Sequence, residues 1–107
     1  MKNIIKHKKL VRDRIPEIIE KSGKKADFKV LSMSEYLKML DQKLQEELSE
    51  YLHNKSMEEI ADLLEVIHAV VSARGSTMDE VEQIRLLKKE KRGRFENRIF
   101  LESVTDL

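Results

Sequence analysis

Residues 32–75 read SMSEYLKMLDQKLQEELSEYLHNKSMEEIADLLEVIHAVVSARG, and this stretch decides the fold. It contains two helix openings of one kind. Ser32-Met33-Ser34-Glu35 and Ser56-Met57-Glu58-Glu59 both place a hydroxyl three residues ahead of a glutamate, the pattern of a capping box. After the first, Leu37, Leu40, Leu44, Leu48, Tyr51 and Leu52 keep the three-four rhythm of one buried helical stripe, which stops near His53-Asn54. After the second, apolar residues run through to Arg74, with Gly75 placed as a C-terminal cap. Two helices joined by so short a turn must run antiparallel.

Outward from this pair, Asp13 through Ser22 reads as an earlier helix, with Pro16 in its opening turn and Gly23 as its stop. Residues Ala26 to Leu31 read as a brief extended connection or a strand. Thr77-Met78-Asp79-Glu80 is a third capping box, and the helix it opens runs to about Arg92, before Gly93. The segment from Phe95 to Val104 reads as extended. The expectation is an all-α protein: an antiparallel bundle of about four helices with short extended terminal segments, forming one domain over residues 1–107.

The chain's 107 residues allow a single, modest core. A charged fraction of 38% beside an apolar fraction of 40% fits a highly charged helical protein. Cysteine is absent, which excludes disulfides and thiolate metal sites and fits a cytoplasmic location. No apolar run approaches the roughly 20 residues of a membrane span, so no membrane partner is expected. The net charge of +1 gives no global field for nucleic acid, and the acidic middle interrupts any continuous basic face. The ends are basic nonetheless: Lys2, Lys6, Lys8, Lys9, Arg12 and Arg14 at one, Lys88, Lys89, Lys91, Arg92 and Arg94 near the other.

The acids gather between them. Glu46, Glu47 and Glu50 lie on the first helix of the pair, Glu59 and Asp62 on the second. Spacings of three and four residues put like charges side by side, which a helix selected only for stability avoids. At about 100° per residue, Ile60, Leu64, Ile67 and Val71 form one apolar stripe of the second helix and Leu63, Val66 and Val70 another. Glu59 projects inside that second arc, with Asp62 at its edge. Glu47 adjoins the line of Leu40, Leu44 and Tyr51, and Glu50 sits further toward the flank with Lys43. The inward set is therefore Glu47, Glu50, Glu59 and Asp62, whereas Glu58 and Glu65 read as solvent-facing. Facing carboxylates of this kind make a hard-oxygen pocket suited to Mg²⁺ or Mn²⁺. A helix apolar on so much of its circumference also needs partners on two sides, which self-association supplies.

The order Glu46-Glu47-x-x-Glu50 followed by Glu59-x-x-Asp62 resembles the EExxE…ExxD signature of the MazG-like, all-α nucleoside triphosphate pyrophosphohydrolases. That superfamily also includes phosphoribosyl-ATP pyrophosphohydrolase and the dimeric dUTPases. Lys9-Leu10-Val11-Arg12-Asp13-Arg14-Ile15-Pro16 and Lys88-Lys89-Glu90-Lys91-Arg92-Gly93-Arg94-Phe95 resemble the opening and close of one small branch, so the likeness covers about Lys9 to Glu102. The segment between the acidic motifs, Tyr51 to Glu58, is shorter than in some MazG proteins. The resemblance implies Mg²⁺-dependent hydrolysis of a nucleoside triphosphate between its α and β phosphates, as house-cleaning of non-standard or surplus nucleotides. It implies Glu47, Glu50, Glu59 and Asp62 as metal ligands and Glu46 as the group that orients or deprotonates the attacking water. It also implies a homodimer or homotetramer.

A triphosphate needs cations aimed at its leaving group. Lys88, Lys91 and Arg92 are candidates from one end and Lys9 and Arg12 from the other, provided that folding brings them over the acidic helices. His7, His53 and His68 lack zinc spacing, and His68 reads as a core or interface residue. The serines lack a nucleophile elbow, and the glycines form no phosphate-cradling loop. Phe28, Tyr36, Tyr51, Phe95 and Phe100 read as core, and Met33, Met39, Met57 and Met78 as gap fillers. The alternative function is a non-enzymatic helical module that senses a nucleotide or binds a protein. A third reading takes the charges as ordinary surface and the broad apolar arc as an assembly face.

Overall fold

The computed structural model describes residues 4–107, so Lys2 of the basic N-terminal run lies outside the described residues. Four helices follow one another: α1 (Ile15–Lys21), α2 (Met33–Asn54), α3 (Met57–Ala73) and α4 (Met78–Arg92). The described remainder is turn and irregular chain with no strand, so the fold is all-α, and the residues of 26–31 and of the C-terminal segment pair with no sheet.

Each expected cap forms. The Ser32 hydroxyl accepts from the Glu35 amide at 3.2 Å, that of Ser56 from the Glu59 amide at 3.4 Å, and that of Thr77 from the Glu80 amide at 3.2 Å. Pro16 lies in the first turn of α1, where its missing N–H removes no intrahelical bond. Between α2 and α3 the turn is made by a left-handed Lys55 (φ 55°), whose N–H donates to the Tyr51 carbonyl at 2.7 Å. Its ammonium stands 5.5 Å from the centroid of the Tyr51 ring, a cation–π contact that offsets part of the backbone strain. Substituting Ser56→Ala is expected to cost about 1 kcal/mol, the usual worth of an N-cap hydroxyl. A thermal melt followed by circular dichroism checks it, and an unchanged midpoint would mean that the cap carries no net stability.

Packing centres on the α2–α3 hairpin; α4 touches α3, and among the described residues no other pair of helices packs together. Leu40 (4% exposed) and Val66 (8%) are the buried apolar residues of the described chain. Leu37, Leu44 and Tyr51 on α2, and Leu63 and Val70 on α3, are half-buried around them. Val66, the most covered residue of α3, belongs to the same arc as Glu59.

The molecule is elongated, 74 × 31 × 23 Å, with a radius of gyration of 19.4 Å against about 13 Å for a compact domain of this length. Several residues read as core stay at the surface for that reason. Phe28, Phe95 and Phe100 are exposed, as are Leu48, Leu52, Met33 and Met57, because no second layer among the described residues covers them. His68 is likewise exposed on α3. On the exposed side of α4 the Arg85 guanidinium hydrogen-bonds the Glu82 carboxylate, holding that carboxyl below its ordinary range and raising Arg85. No helix among the described residues is long and apolar enough to cross a membrane.

Candidate metal centre

The hairpin turn brings the two acidic motifs together. Glu47 lies in the second half of α2, and Glu59 and Asp62 lie in the first turns of α3. One carboxylate oxygen from each of the three comes within 4.8 Å of the others. Local sequence explains each placement. Glu47 is seven residues, two helical turns, beyond the buried Leu40 and so stands on the same face. Only 12% of its side chain is exposed. Glu59 is the fourth residue of a capping box, yet its carboxylate is not committed to the cap. Oε1 accepts from Asn54 Nδ2 at 3.0 Å across the turn. Asp62, one turn further along, reaches the same region from the edge of the arc.

Cations hold the cluster together. Arg12 Nη2 donates to Asp62 Oδ1 at 2.8 Å, tying the segment before α1 to α3. Lys43, 19% exposed, stands 3.3 Å from Glu47 Oε1 and 3.4 Å from Glu46 Oε1. Lys9 Nζ is 3.5 Å from the same Glu46 oxygen. Lys9 and Arg12 therefore both stand on the acidic helices. Exposed pairs such as Arg12–Asp62 contribute at most about 1 kcal/mol each, so their main effect is to neutralise and position rather than to stabilise.

The remaining expected residues fall elsewhere. Glu50 is exposed on α2 and is not in the three-carboxylate set. Lys88, Lys91 and Arg92 are exposed on the last turns of α4, and among the described residues no ion pair joins them to the acids. Two participants had no role assigned from the sequence, which places Lys43 only at the flank beside Glu50. Lys43 is three and four residues ahead of Glu46 and Glu47, a spacing that signals an on-face ion pair. Asn54, the last residue of α2, offers no comparable signal, since its contact with Glu59 depends on the geometry of the turn.

The donor set fits a hard cation. An octahedral Mg²⁺ with oxygens at about 2.1 Å needs neighbouring ligands about 3 Å apart and opposite ones about 4.2 Å apart. Three oxygens within 4.8 Å approach that spacing with small side-chain movements. Mg²⁺ characteristically keeps several waters, so three protein oxygens are a reasonable complement.

Comparison with known proteins adds little to the geometry. An uncharacterised protein of Mycolicibacterium smegmatis is 54% identical to this chain over 41 residues, 38% of this chain and 42% of the relative. The chain thus matches less than half the length of that relative. No protein-family model matches the chain. No solved structure matches it.

Proposed function

We propose that the chain is a Mg²⁺-dependent nucleotide pyrophosphohydrolase, self-associating as a homodimer or homotetramer and working in the cytoplasm on non-standard or surplus nucleoside triphosphates. The observation that carries this reading is the convergence of Glu47, Glu59 and Asp62 beside Lys9, Arg12 and Lys43. Carboxylate oxygens for a divalent ion and cations for phosphate are in direct contact, Arg12 on Asp62 at 2.8 Å and Lys43 on Glu47 at 3.3 Å. The likeness of the acidic motifs to those of the MazG-like enzymes points the same way.

In this reading Glu47, Glu59 and Asp62 hold Mg²⁺, with Glu50 joining from the flank. Bound there, Mg²⁺ would supply neutralising charge for phosphate oxygens and a water of lowered pKa. Charge exchange is the contribution of the chain's own residues. Lys43 and Arg12, which now stand on carboxylates, turn toward phosphate oxygens once those carboxylates have another cation to satisfy. Lys9 and Arg12 then sit where negative charge develops on the leaving pyrophosphate. Glu46 orients a water toward the α-phosphorus and takes its proton. The new P–O bond forms as the bond to the α–β bridging oxygen breaks, leaving a nucleoside monophosphate and pyrophosphate.

Pyrophosphate release from a panel of standard and modified nucleoside triphosphates tests the reading. Release with Mg²⁺ or Mn²⁺ that stops with chelator is the expected result, and no release from folded protein across the panel would overturn it. One observation favours a second reading, a non-enzymatic module in which the acids are structural: Asp62, Glu47 and Glu59 each already have a protein partner. Melting with and without Mg²⁺ separates the two. A ligand present at 100 times its dissociation constant raises the stability of the state it binds by about 2.7 kcal/mol. The enzyme reading requires such a rise, and the structural reading requires none.

A further inference from the structure

We propose that the α4 helix and the segment after it form an arm that one copy of this chain lays on the α2–α3 hairpin of a second copy, reciprocally. The inference rests on the self-association proposed above and assigns the surfaces that make it.

Area is the first argument. A compact folded chain of 12.6 kDa exposes about 6,200 Å², whereas this one exposes 10377 Å². The excess is about 4,000 Å² per chain, more than the roughly 1,000–2,500 Å² that each partner of an obligate dimer buries. Extended polar chain contributes to such an excess, but part of the exposed surface here is apolar. From Phe95 to Val104 the chain carries Phe95 (100% exposed), Ile99, Phe100 (85%), Leu101 and Val104. On α4, Ile84 and Leu87 continue the i, i+3 line begun by Val81, and both are exposed. Ile84 and Leu87, open to water beyond the partly covered Val81, are a packing face without a partner among the described residues.

The second argument is where the arm goes. Gly75 (φ +82°) turns the chain at the end of α3 that is remote from the acids, and α4 leaves from there. Within α4, Met78, Val81 and Lys89 are partly covered, and every other residue is exposed, so the helix does not fold back along its own hairpin. The acid-bearing half of the hairpin meanwhile keeps Leu48, Leu52 and Leu64 exposed. Charge matches as well. Lys88, Lys89, Lys91, Arg92, Arg94 and Arg98 precede or interrupt the apolar tail, and the exposed leucines lie among Glu46, Glu50, Glu58, Asp62 and Glu65. Apolar tail on apolar patch and basic run beside acidic helices satisfy both requirements with one contact. A two-fold arrangement does so twice, leaving no arm unpaired. It also brings Lys88, Lys91 and Arg92 of one copy to the acidic end of the other, a placement that the chain alone does not give them.

Two readouts test the proposal separately. Light-scattering mass after size exclusion reads association, with twice the 12.6 kDa chain mass expected. Spin labels at Ser49→Cys and Ser103→Cys read the exchange, since the chain has no other cysteine to label. Both labels on one chain, diluted into unlabelled protein, report the in-chain spacing; one label on each of two mixed chains reports the between-chain spacing. The between-chain spacing is expected to be the shorter. A mass of one chain overturns association and exchange together. A mass of two with the shorter spacing inside the chain leaves the dimer and overturns the exchanged arm. The double substitution Ile84→Asp, Leu87→Asp should give the one-chain mass with helical circular dichroism retained, and a two-chain mass would remove α4 from the interface. Phe100→Ser with Leu101→Ser tests the tail in the same way if the α4 variant does not fold.

Discussion

Asp62→Asn is expected to reduce pyrophosphate release about 100-fold or more while leaving the helices folded. The reason lies in what the substitution changes and what it spares. Asparagine keeps the size and one carbonyl oxygen but removes the negative charge that a divalent cation needs from a hard-oxygen ligand. Disturbing groups that merely support a ligand commonly costs 10-fold to about 100-fold, so neutralising a ligand should cost at least as much. Stability should hardly move, because Asp62 is half-exposed and the surface ion pair lost with Arg12 is worth at most about 1 kcal/mol. Initial rates at saturating Mg²⁺, with circular dichroism of the same samples, check both halves. The stabilisation of the wild type by Mg²⁺ should shrink in step. An active variant would remove Asp62 from the centre, and an inactive one that Mg²⁺ still stabilises fully would place the ion elsewhere.

Much of this centre is legible in the sequence because helical period is a local property. Once the capping boxes fix where α2 and α3 begin, the angular positions of Glu47, Glu59 and Asp62 follow, and so does their exclusion from the solvent-facing side that carries Glu58 and Glu65. A short turn then forces the two faces together. The same period does not separate Glu50 from Glu47, since it gives direction around a helix and not the distance across to the neighbouring one. Asn54 on Glu59 is likewise a fact of the turn, in which Lys55 takes the left-handed conformation and leaves Asn54 inside the helix. The reach of Lys9 and Arg12 depends on the path of an irregular segment that no periodicity describes.

The helices themselves were readable for the same reason, and the layers between them were not. Ser32, Ser56 and Thr77 each act within one turn of chain, so their caps stand wherever the rest of the molecule goes. Assigning Phe28, Phe95 and Phe100 to a core required knowing which surface covers them. Apolar character records that a residue is better out of water, but not whether its own chain or another removes it. The chain exposes these phenylalanines together with Ile84 and Leu87 of α4, so apolar character alone did not place them in its own core.

Leu40→Ala should cost about 2–5 kcal/mol, the range for truncating a buried leucine to alanine. Two features place it toward the upper part of that range. Leu40 is 4% exposed and shares the buried interior of the described chain with Val66, so few neighbours can shift to fill the void. The α2–α3 hairpin that it holds is also the principal helix–helix contact, and no other packing of comparable extent compensates. For a chain of about this size, 1 kcal/mol corresponds to roughly 4–8 °C in melting temperature, so a fall of about 8–40 °C is expected, measured at one fixed protein concentration. Lys38→Ala, exposed on the same helix, should stay within about 0.5 kcal/mol of the parent. The consequence for activity differs in kind from that of Asp62→Asn. Leu40 is not one of the carboxylates or cations of the centre and stands two helical turns before Glu47, so below its own melting transition the variant should turn over substrate at nearly the parent rate and respond normally to Mg²⁺. Above it, activity and helicity should vanish together, because Glu47 faces Glu59 and Asp62 only as long as α2 and α3 are packed. A variant that melts normally would show that the hairpin is held by something other than its buried pair.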